Sequence, residues 1–134
     1  MRLWHEALLP FLPRAQLLGQ HRECCALRGL SWGKKHAVVD YVFARPPECL
    51  VVYHLRVMME MARRGYRVDM RWASPVYRGR RCEPWKINLR RMARLAGQRP
   101  VYPEHGDAYL EECLDNLRQK GIELSLKRSE ERMR

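Results

Sequence analysis

The sequence predicts a mostly α-helical, compact single domain with three principal helices and long loops. Apolar residues recur at helical spacing in three segments, and prolines and glycines mark the ends of those segments. A chain of 134 residues is long enough to bury one modest core. We therefore assign residues 1–134 to one domain, with the charged stretch 125–134 as a tail that is expected to fray.

The first two predicted helices have clear boundary signals. Pro13 suits a first helical turn and Gly29 suits a stop, so the first helix is expected to run from Pro13 to about Leu27. Pro46-Pro47 begins the second helix, and Arg63-Arg64-Gly65 ends it. On this helix we expect His54 to be structural. The cluster Met58, Met59 and Met61 is expected to fill the core.

The remaining segments are less regular. The apolar patch from Ala37 to Phe43 is compatible with a short helix or a strand, and an irregular or helical form is favoured. Residues 66–103 contain six prolines and glycines and predict loops around one short basic helix, near Pro84 to Leu95. A last helix is expected from about Glu104 to Lys120, with Gly121 as its stop.

The charge balance points to a polyanionic partner. Lys and Arg number 26 against 15 Asp and Glu, a formal net charge of +11. This imbalance suits DNA, RNA or an anionic membrane surface. No apolar run approaches the roughly 20 residues of a membrane span, and Glu6, Pro10 and Pro13 interrupt the only apolar stretch near the N-terminus. We expect an intracellular, cytoplasmic protein that is associated with the nucleoid and not with a membrane.

Common cofactor and metal motifs are missing from the sequence. The five cysteines form no CxxC pair, so buried apolar thiols are favoured over a zinc site or a disulfide framework. The phosphate-binding glycine motifs, the serine-hydrolase elbow and the zinc-deaminase signature do not occur. We therefore predict neither a metal nor a cofactor.

A single carboxylate stands out on the first predicted helix. Gln16, Gly19 and Glu23 share one face of it, with Gln20 and His21 at the edges of that face. The face is too polar for a core, and a carboxylate repels DNA phosphates. Glu23 therefore needs either a structural partner or a chemical role.

These residues resemble the first helix of the pyrimidine-dimer DNA glycosylases of the phage endonuclease V type. That family opens with a short segment containing an arginine, followed by a helix with Gln/His-Leu and later Arg-Glu. Met1-Arg2, Gln16-Leu17-Leu18 and Arg22-Glu23 follow this order at similar spacing. The second helix, ending in Arg64-Gly65-Tyr66, is similar to a family helix that ends in a basic residue, a glycine and an aromatic residue.

The resemblance implies a DNA-repair glycosylase with abasic-site lyase activity. Its nucleophile would be the N-terminal α-amine and its catalytic carboxylate Glu23. The family usually has threonine at position 2, whereas this chain has Arg2, a residue that normally leaves the initiator methionine in place. The α-amine of Met1 would then be the nucleophile. The aromatic-rich C-terminal segment of the family has no counterpart in residues 125–134.

The partner expected from this reading is damaged double-stranded DNA, bound by a monomer. The candidate DNA-binding residues are basic or polar and lie near Glu23 or in the basic run 78–94: Arg2, Gln16, His21, Arg22, Arg28, Lys34, Lys35, Arg90 and Arg91. For Arg22 and Arg28, solvated helix positions and phosphate contacts remain equally open. The alternative function is a non-catalytic basic helical protein that binds DNA or RNA.

Overall fold

The computed structural model of the chain describes residues 2–34 and 39–124. Within these ranges the chain forms five α-helices and two short 3-10 helices, and no strand. The α-helices are α1 (Arg14–Arg28), α2 (Asp40–Ala44), α3 (Pro47–Arg63), α4 (Leu89–Ala96) and α5 (Asp107–Gln119). The 3-10 helices span Glu6–Phe11 and Met70–Ala73. The mostly α-helical class predicted from the sequence is confirmed.

The three long helices are α1, α3 and α5, with 15, 17 and 13 residues. Helix α1 packs against α3, and α3 also contacts α2, α4 and the first 3-10 helix. Proline precedes α1 and begins α3, as expected for residues whose φ angle is already helical. Gly29 follows α1, and Gly65, at a φ of 81°, follows the end of α3. The predicted boundaries of these two helices are therefore nearly those observed.

One apolar core joins the helices to the N-terminal segment. It contains Leu3 and Leu8 from that segment, Leu17 from α1, Tyr53 from α3 and Leu117 from α5, all fully buried. His54 is also fully buried, in agreement with its predicted structural role. Helix α3 is buried along most of its length and is the central element of the fold. It therefore fixes the relative positions of α1 and the N-terminal segment.

Two helices begin later than the sequence suggests. Helix α4 starts at Leu89 instead of Pro84, because the backbone N–H of Trp85 bonds to the carbonyl of Val76 and holds the preceding stretch in the loop. The Asn88 side chain then caps α4 at the N–H of Arg91. Helix α5 starts at Asp107, since the chain before it is drawn into the core with Tyr102 and His105 buried.

Two further predictions are decided by the structure. The helical alternative for Ala37 to Phe43 is confirmed from Asp40 onward by α2, whereas residues 35–38 lie outside the described residues. Met58 and Met61 are buried as expected, but Met59 is 66% exposed, so its assignment to the core is wrong. Met59 lies on the outer face of α3, beside Glu60 in a shallow cavity. The predicted tail 125–134 also lies outside the described residues.

The helices of the described ranges include none that combines the length and the apolar character of a membrane span.

Candidate active site

Glu23 lines a cavity of about 350 Å³ between α1, α5 and the N-terminal segment. Helix α1 contributes Gln16, Gly19 and Gln20 together with Glu23. The polar face predicted from the sequence is therefore one wall of a cavity. Arg2 and Trp4 come from the N-terminal segment, Asn116 comes from α5, and Lys120 directly follows α5.

Gln20 attaches the N-terminal segment to α1. Its Nε2 donates to the carbonyl of Arg2 at 2.9 Å, and its Oε1 accepts the backbone N–H of Trp4 at 2.6 Å. The hydroxyl of Tyr53 on α3 lies 2.9 Å from Gln20 Oε1 and donates to the carbonyl of Trp4 at 2.5 Å. Because Gln20 is only 1% exposed, these bonds are protected from water. The segment is held in register with the helix face that carries Glu23.

The side chain of Arg2 is held by α5. Its guanidinium donates to Glu112 Oε1 at 3.3 Å and lies 5.6 Å from the ring centre of Tyr109. The hydroxyl of Tyr109 in turn donates to the carbonyl of Leu3 at 2.5 Å. Helices α1 and α5 thus both form hydrogen bonds with the first described residues. The side chain of Arg2 lines the cavity and is held there by α5.

The Glu23 carboxylate is half-buried, and its Oε2 is shielded from solvent. Among the described residues, the cations that line the same cavity are Arg2 and Lys120. A carboxylate in such surroundings can stabilise a developing positive charge or accept a proton. Met1, the predicted source of the nucleophile, lies outside the described residues.

Sequence reasoning missed the contribution of α5 to this cavity. Asn116 and Lys120 lie one helical turn apart, and the ammonium of Lys120 is 5.3 Å from the ring centre of Trp4. In the sequence, the spacing of these two polar residues is the only feature that could have indicated their place at the cavity. Solvated helix faces carry the same pattern, so the pattern alone does not single these residues out.

The structure contradicts the predicted phosphate contact of Arg28. This residue is fully buried, and its guanidinium donates to the carbonyls of Trp72, Ser74 and Tyr77 at 2.7 to 2.9 Å. The same group lies 3.0 Å from Nδ1 of His54. Burial lowers the pKa of Arg28 to about 10, so the group remains cationic at neutral pH. Arg28 is a structural cation that no phosphate can reach.

The other candidate DNA-binding residues are not all at one place. Gln16 and Arg2 line the Glu23 cavity, while Arg22 and His21 border a second cavity of about 520 Å³. The remaining candidates lie further along the chain. Lys34 and Arg90 are exposed, Arg91 is paired with buried Glu48 at 2.9 Å, and Lys35 lies outside the described residues.

Within the part of the chain that the structure describes, three side chains have donor atoms close enough together for a metal ion: His21 and Cys25 on α1, and His54 on α3. Their ligand atoms lie within 4.8 Å of one another. However, the guanidinium of Arg28 can only donate, so Nδ1 of His54 accepts and the ring proton sits on Nε2. That Nε2 lies 2.8 Å from Nδ1 of His21 and can donate to it. Burial lowers the pKa of His54 far below its usual value and raises that of Cys25 to about 11. Arg28, His54 and His21 thus form a hydrogen-bonded chain.

A helical domain of strongly basic charge, with a carboxylate in a cavity beside a pinned N-terminal segment, has the form of a DNA-processing enzyme. Comparison with known families gives a specific result. The family model of the pyrimidine dimer DNA glycosylases matches residues 1–74, and the chain belongs to this family. Searches of curated proteins and of solved structures gave no match. The matched region includes α1, α3 and the whole N-terminal segment.

Proposed function

We propose that this protein is a pyrimidine-dimer DNA glycosylase with abasic-site lyase activity, in which the α-amine of Met1 is the nucleophile and Glu23 the catalytic carboxylate. The observation that carries the proposal is the attachment of Arg2 and Trp4 to Gln20, less than one helical turn from Glu23. Arg2 is bonded directly to the residue whose amine would react. Family membership supports the glycosylase class and DNA as the partner.

The chemistry requires an amine that is neutral at physiological pH. An α-amine has a reference pKa of about 7.7 to 8.0, whereas that of lysine is about 10.4. A larger fraction of an α-amine is therefore neutral at pH 7. Cations nearby, such as the guanidinium of Arg2, disfavour its protonated form further.

The reaction then follows from one covalent intermediate. The neutral amine attacks C1′ of the damaged nucleotide, the bond from C1′ to the base breaks, and the base leaves with its electron pair and a proton. Opening of the sugar ring gives an iminium that acidifies the protons on C2′. Loss of one of these protons expels the 3′ phosphate by β-elimination and cuts the strand. In this scheme Glu23 stabilises the cationic sugar and transfers protons during ring opening and elimination.

The remaining interface is proposed from charge and exposure. Gln16 lies in the same cavity as Glu23, and Arg22 and Lys34 are exposed. We assign them to the phosphates and edges of a damaged duplex, together with His21, Lys35, Arg90 and Arg91. A monomer with no cofactor suffices for this chemistry, because all the proposed groups come from one chain.

Borohydride reduction on an abasic-site duplex tests the covalent step. The wild-type protein is expected to form a reduced cross-link, and peptide mapping is expected to locate it at residue 1. Acetylation of the α-amine should abolish the cross-link and leave binding to undamaged duplex largely intact, since one cation among many is lost. Unmodified protein that is carried through the same procedure without the acetylating reagent serves as the control for handling.

Two outcomes would contradict parts of the proposal. If the acetylated protein cuts an abasic duplex at the wild-type rate, the Met1 assignment is wrong, and Lys34 or Lys35 becomes the next candidate nucleophile. If the wild-type protein neither cross-links nor cleaves but still binds duplex, the non-catalytic DNA- or RNA-binding alternative is favoured.

A further inference from the structure

A second cleft, separate from the Glu23 cavity, lies between the C-terminal end of α1 and the loop 71–82. Its volume is about 510 Å³, and none of its lining residues also lines the Glu23 cavity. Helix α1 and the turn after it contribute Cys25, Gly29 and Leu30. Leu30 is 56% exposed. On the loop side, Arg71 and Trp72 lie within residues 1–74, the part of the chain that matches the family, and the lining residues from Tyr77 to Cys82 lie beyond it.

Two arginines clamp the loop to α1 in opposite directions. Buried Arg28 donates from α1 to loop carbonyls, including that of Tyr77 at 2.8 Å. Arg78 donates from the loop to the carbonyl of Arg28 at 2.7 Å and to that of Gly29 at 3.3 Å. A Cβ at Gly29 would lie only 3.0 Å from the carbonyl oxygen of Arg78, which shows how closely the two backbones approach. The loop is thus joined to α1 by side-chain hydrogen bonds that run in both directions.

Aromatic rings form part of this surface. Trp72 and Tyr77 meet edge to face, with ring centres 4.8 Å apart. The guanidinium of Arg28 lies 5.2 Å from the ring centre of Trp72, and that of Arg71 lies 5.8 Å from that of Tyr77. Both rings are only half-buried, so they are fixed in place and still reach the cleft.

The charged side chains that line the cleft are all positive. Four arginines line it, at positions 71, 78, 80 and 81, and no carboxylate is among its lining residues. Arg71 is paired with Asp69, which lies outside the cleft. Arg80 and Arg81 are exposed, and neither forms a salt bridge within residues 2–34 and 39–124. Two cations held on a rigid loop and not neutralised by the protein are suited to an anionic partner.

We infer that this cleft binds the phosphodiester backbone of the DNA duplex away from the lesion, through Arg80 and Arg81. The choice of DNA as the polyanion rests on the proposed function. Arginine and tyrosine side chains are among the groups with which proteins contact the phosphates and sugars of DNA. A preformed loop loses little conformational freedom on binding, so each phosphate contact contributes to affinity.

The test is the salt dependence of binding to an undamaged duplex. The variant R80Q/R81Q removes two charges at exposed positions and leaves the clamp of Arg28 and Arg78 intact. If both arginines contact phosphates, the slope of log K against log salt should fall in magnitude by about 2, at roughly 0.9 per phosphate contact. Affinity near physiological salt should fall several-fold. Circular dichroism and thermal unfolding should match those of the wild type.

A charge-matched control separates this site from net charge. Arg63 and Arg99 also line a shallow surface cavity and are exposed, but that cavity contains the carboxylates Glu6 and Glu60. R63Q/R99Q should leave the salt slope unchanged within about 0.5, because it removes no phosphate contact. Equal losses in the two variants would overturn the inference and reduce the cleft to part of a general positive field.

Borohydride cross-linking to an abasic duplex at saturating protein distinguishes the two proposals. A wild-type salt slope in R80Q/R81Q with normal cross-linking overturns the cleft and leaves the proposed function intact. A reduced slope in R80Q/R81Q without cross-linking by any form, wild type included, supports the cleft as a DNA surface and overturns the lyase proposal. A reduced slope with normal cross-linking at saturation supports both.

Discussion

Gln20 and Glu23 lie on the same face of α1 and differ in how deeply they are buried. Gln20 is 1% exposed, and both of its side-chain polar atoms bond to the N-terminal segment. Glu23 is half-buried and faces a cavity large enough to admit part of a nucleotide. At the scale of single residues, Gln20 therefore holds the N-terminal segment at the cavity, and Glu23 forms part of the wall of that cavity.

Glu23→Gln tests the catalytic role that we propose for this carboxylate. The amide keeps the shape of the side chain but loses its charge, so it cannot stabilise the cationic sugar or accept a proton. We expect strand cleavage at an abasic site to slow by at least about 100-fold, a typical loss for a proton-transfer group. Binding to the same duplex should hold or tighten, because a repulsion between carboxylate and phosphate is removed. Cleavage at the wild-type rate would contradict the catalytic assignment.

Arg22 and Arg28 show why residue type alone did not decide the interface. Both are arginines on α1, but Arg22 is exposed and Arg28 is fully buried. The difference arises because the loop 72–77 directs three backbone carbonyls at the guanidinium of Arg28. Those carbonyls come from a part of the chain more than forty positions away. No local pattern around Arg28 contains that information.

The two arginines make a matched pair for a stability measurement. Arg28→Met leaves three carbonyls without their donor and should lower the free energy of unfolding by about 3 to 5 kcal/mol, the usual cost of breaking a buried charged network. Arg22→Met should change it by less than about 0.5 kcal/mol, as at most exposed positions. Urea denaturation monitored by circular dichroism gives both values. Equal effects would show that the buried bonds of Arg28 are not an important part of the stability.

At the scale of elements, the N-terminal segment depends on α1 and α3 more than on its own sequence. The side chains of Gln20 and Tyr53 form hydrogen bonds with the backbone groups of Arg2 and Trp4. In a β-sheet, a neighbouring strand would satisfy such backbone groups. Gln20→Ala removes two of these bonds. We expect the amide of Trp4 to exchange its hydrogen at least about tenfold faster, corresponding to loss of roughly 1.4 kcal/mol of local protection. Borohydride cross-linking should fall as well.

Gln16→Ala is the control for this change, since Gln16 lines the same cavity and makes none of these bonds. Exchange at Trp4 should remain at the wild-type rate in Gln16→Ala. Faster exchange in both variants would indicate that the cavity as a whole, and not the bonds of Gln20, holds the segment in place.

Local sequence signals predicted the helix boundaries best where the residues at the boundary themselves determine it. Pro13, Pro47 and Gly65 mark α1 and α3 because proline and glycine act there through φ, whereas Gly29, at a φ of -97°, follows α1 where the backbone of Arg78 comes close. The predicted first residues of α4 and α5 were wrong because these boundaries depend on contacts outside the helices, such as the hydrogen bond from the Trp85 N–H to the Val76 carbonyl. The Glu23 face was predicted from spacing, but its opposite wall on α5 was not, since helix packing is not a local property.

For the whole molecule, the composition sets the positive charge, whereas the fold keeps two buried histidines neutral. The net charge of +11 is carried largely by exposed arginines, whereas His54 and His105 are at most 1% exposed. Burial lowers the pKa of His105 to about 3 and that of His54 far below its usual value. Each histidine is therefore neutral in the folded protein at a pH where the unfolded chain would protonate it.

This difference predicts a loss of stability on acidification. Both histidines titrate near pH 6.5 when unfolded and at much lower pH when folded, so the unfolded state binds more protons below pH 6.5. Their contribution is complete above pH 6.5 and is lost as pH falls from 6.5 toward 3, at up to about 1.4 kcal/mol per pH unit for each residue. Urea denaturation at pH 7.5 and pH 5.5 measures it.

His105→Gln separates the contribution of the histidines to acid sensitivity from that of the carboxylates. The stabilisation that carboxylates provide is lost at lower pH. The glutamine cannot titrate, so the fall in unfolding free energy between pH 7.5 and pH 5.5 should be smaller in this variant by about 1 kcal/mol, even though its stability at pH 7.5 is also reduced. The comparison uses the slope and not the absolute stability, so repacking around Tyr41 and Tyr109 does not enter it. An identical slope in variant and wild type would mean that His105 is not held neutral by its burial, and that the acid sensitivity comes from elsewhere in the fold.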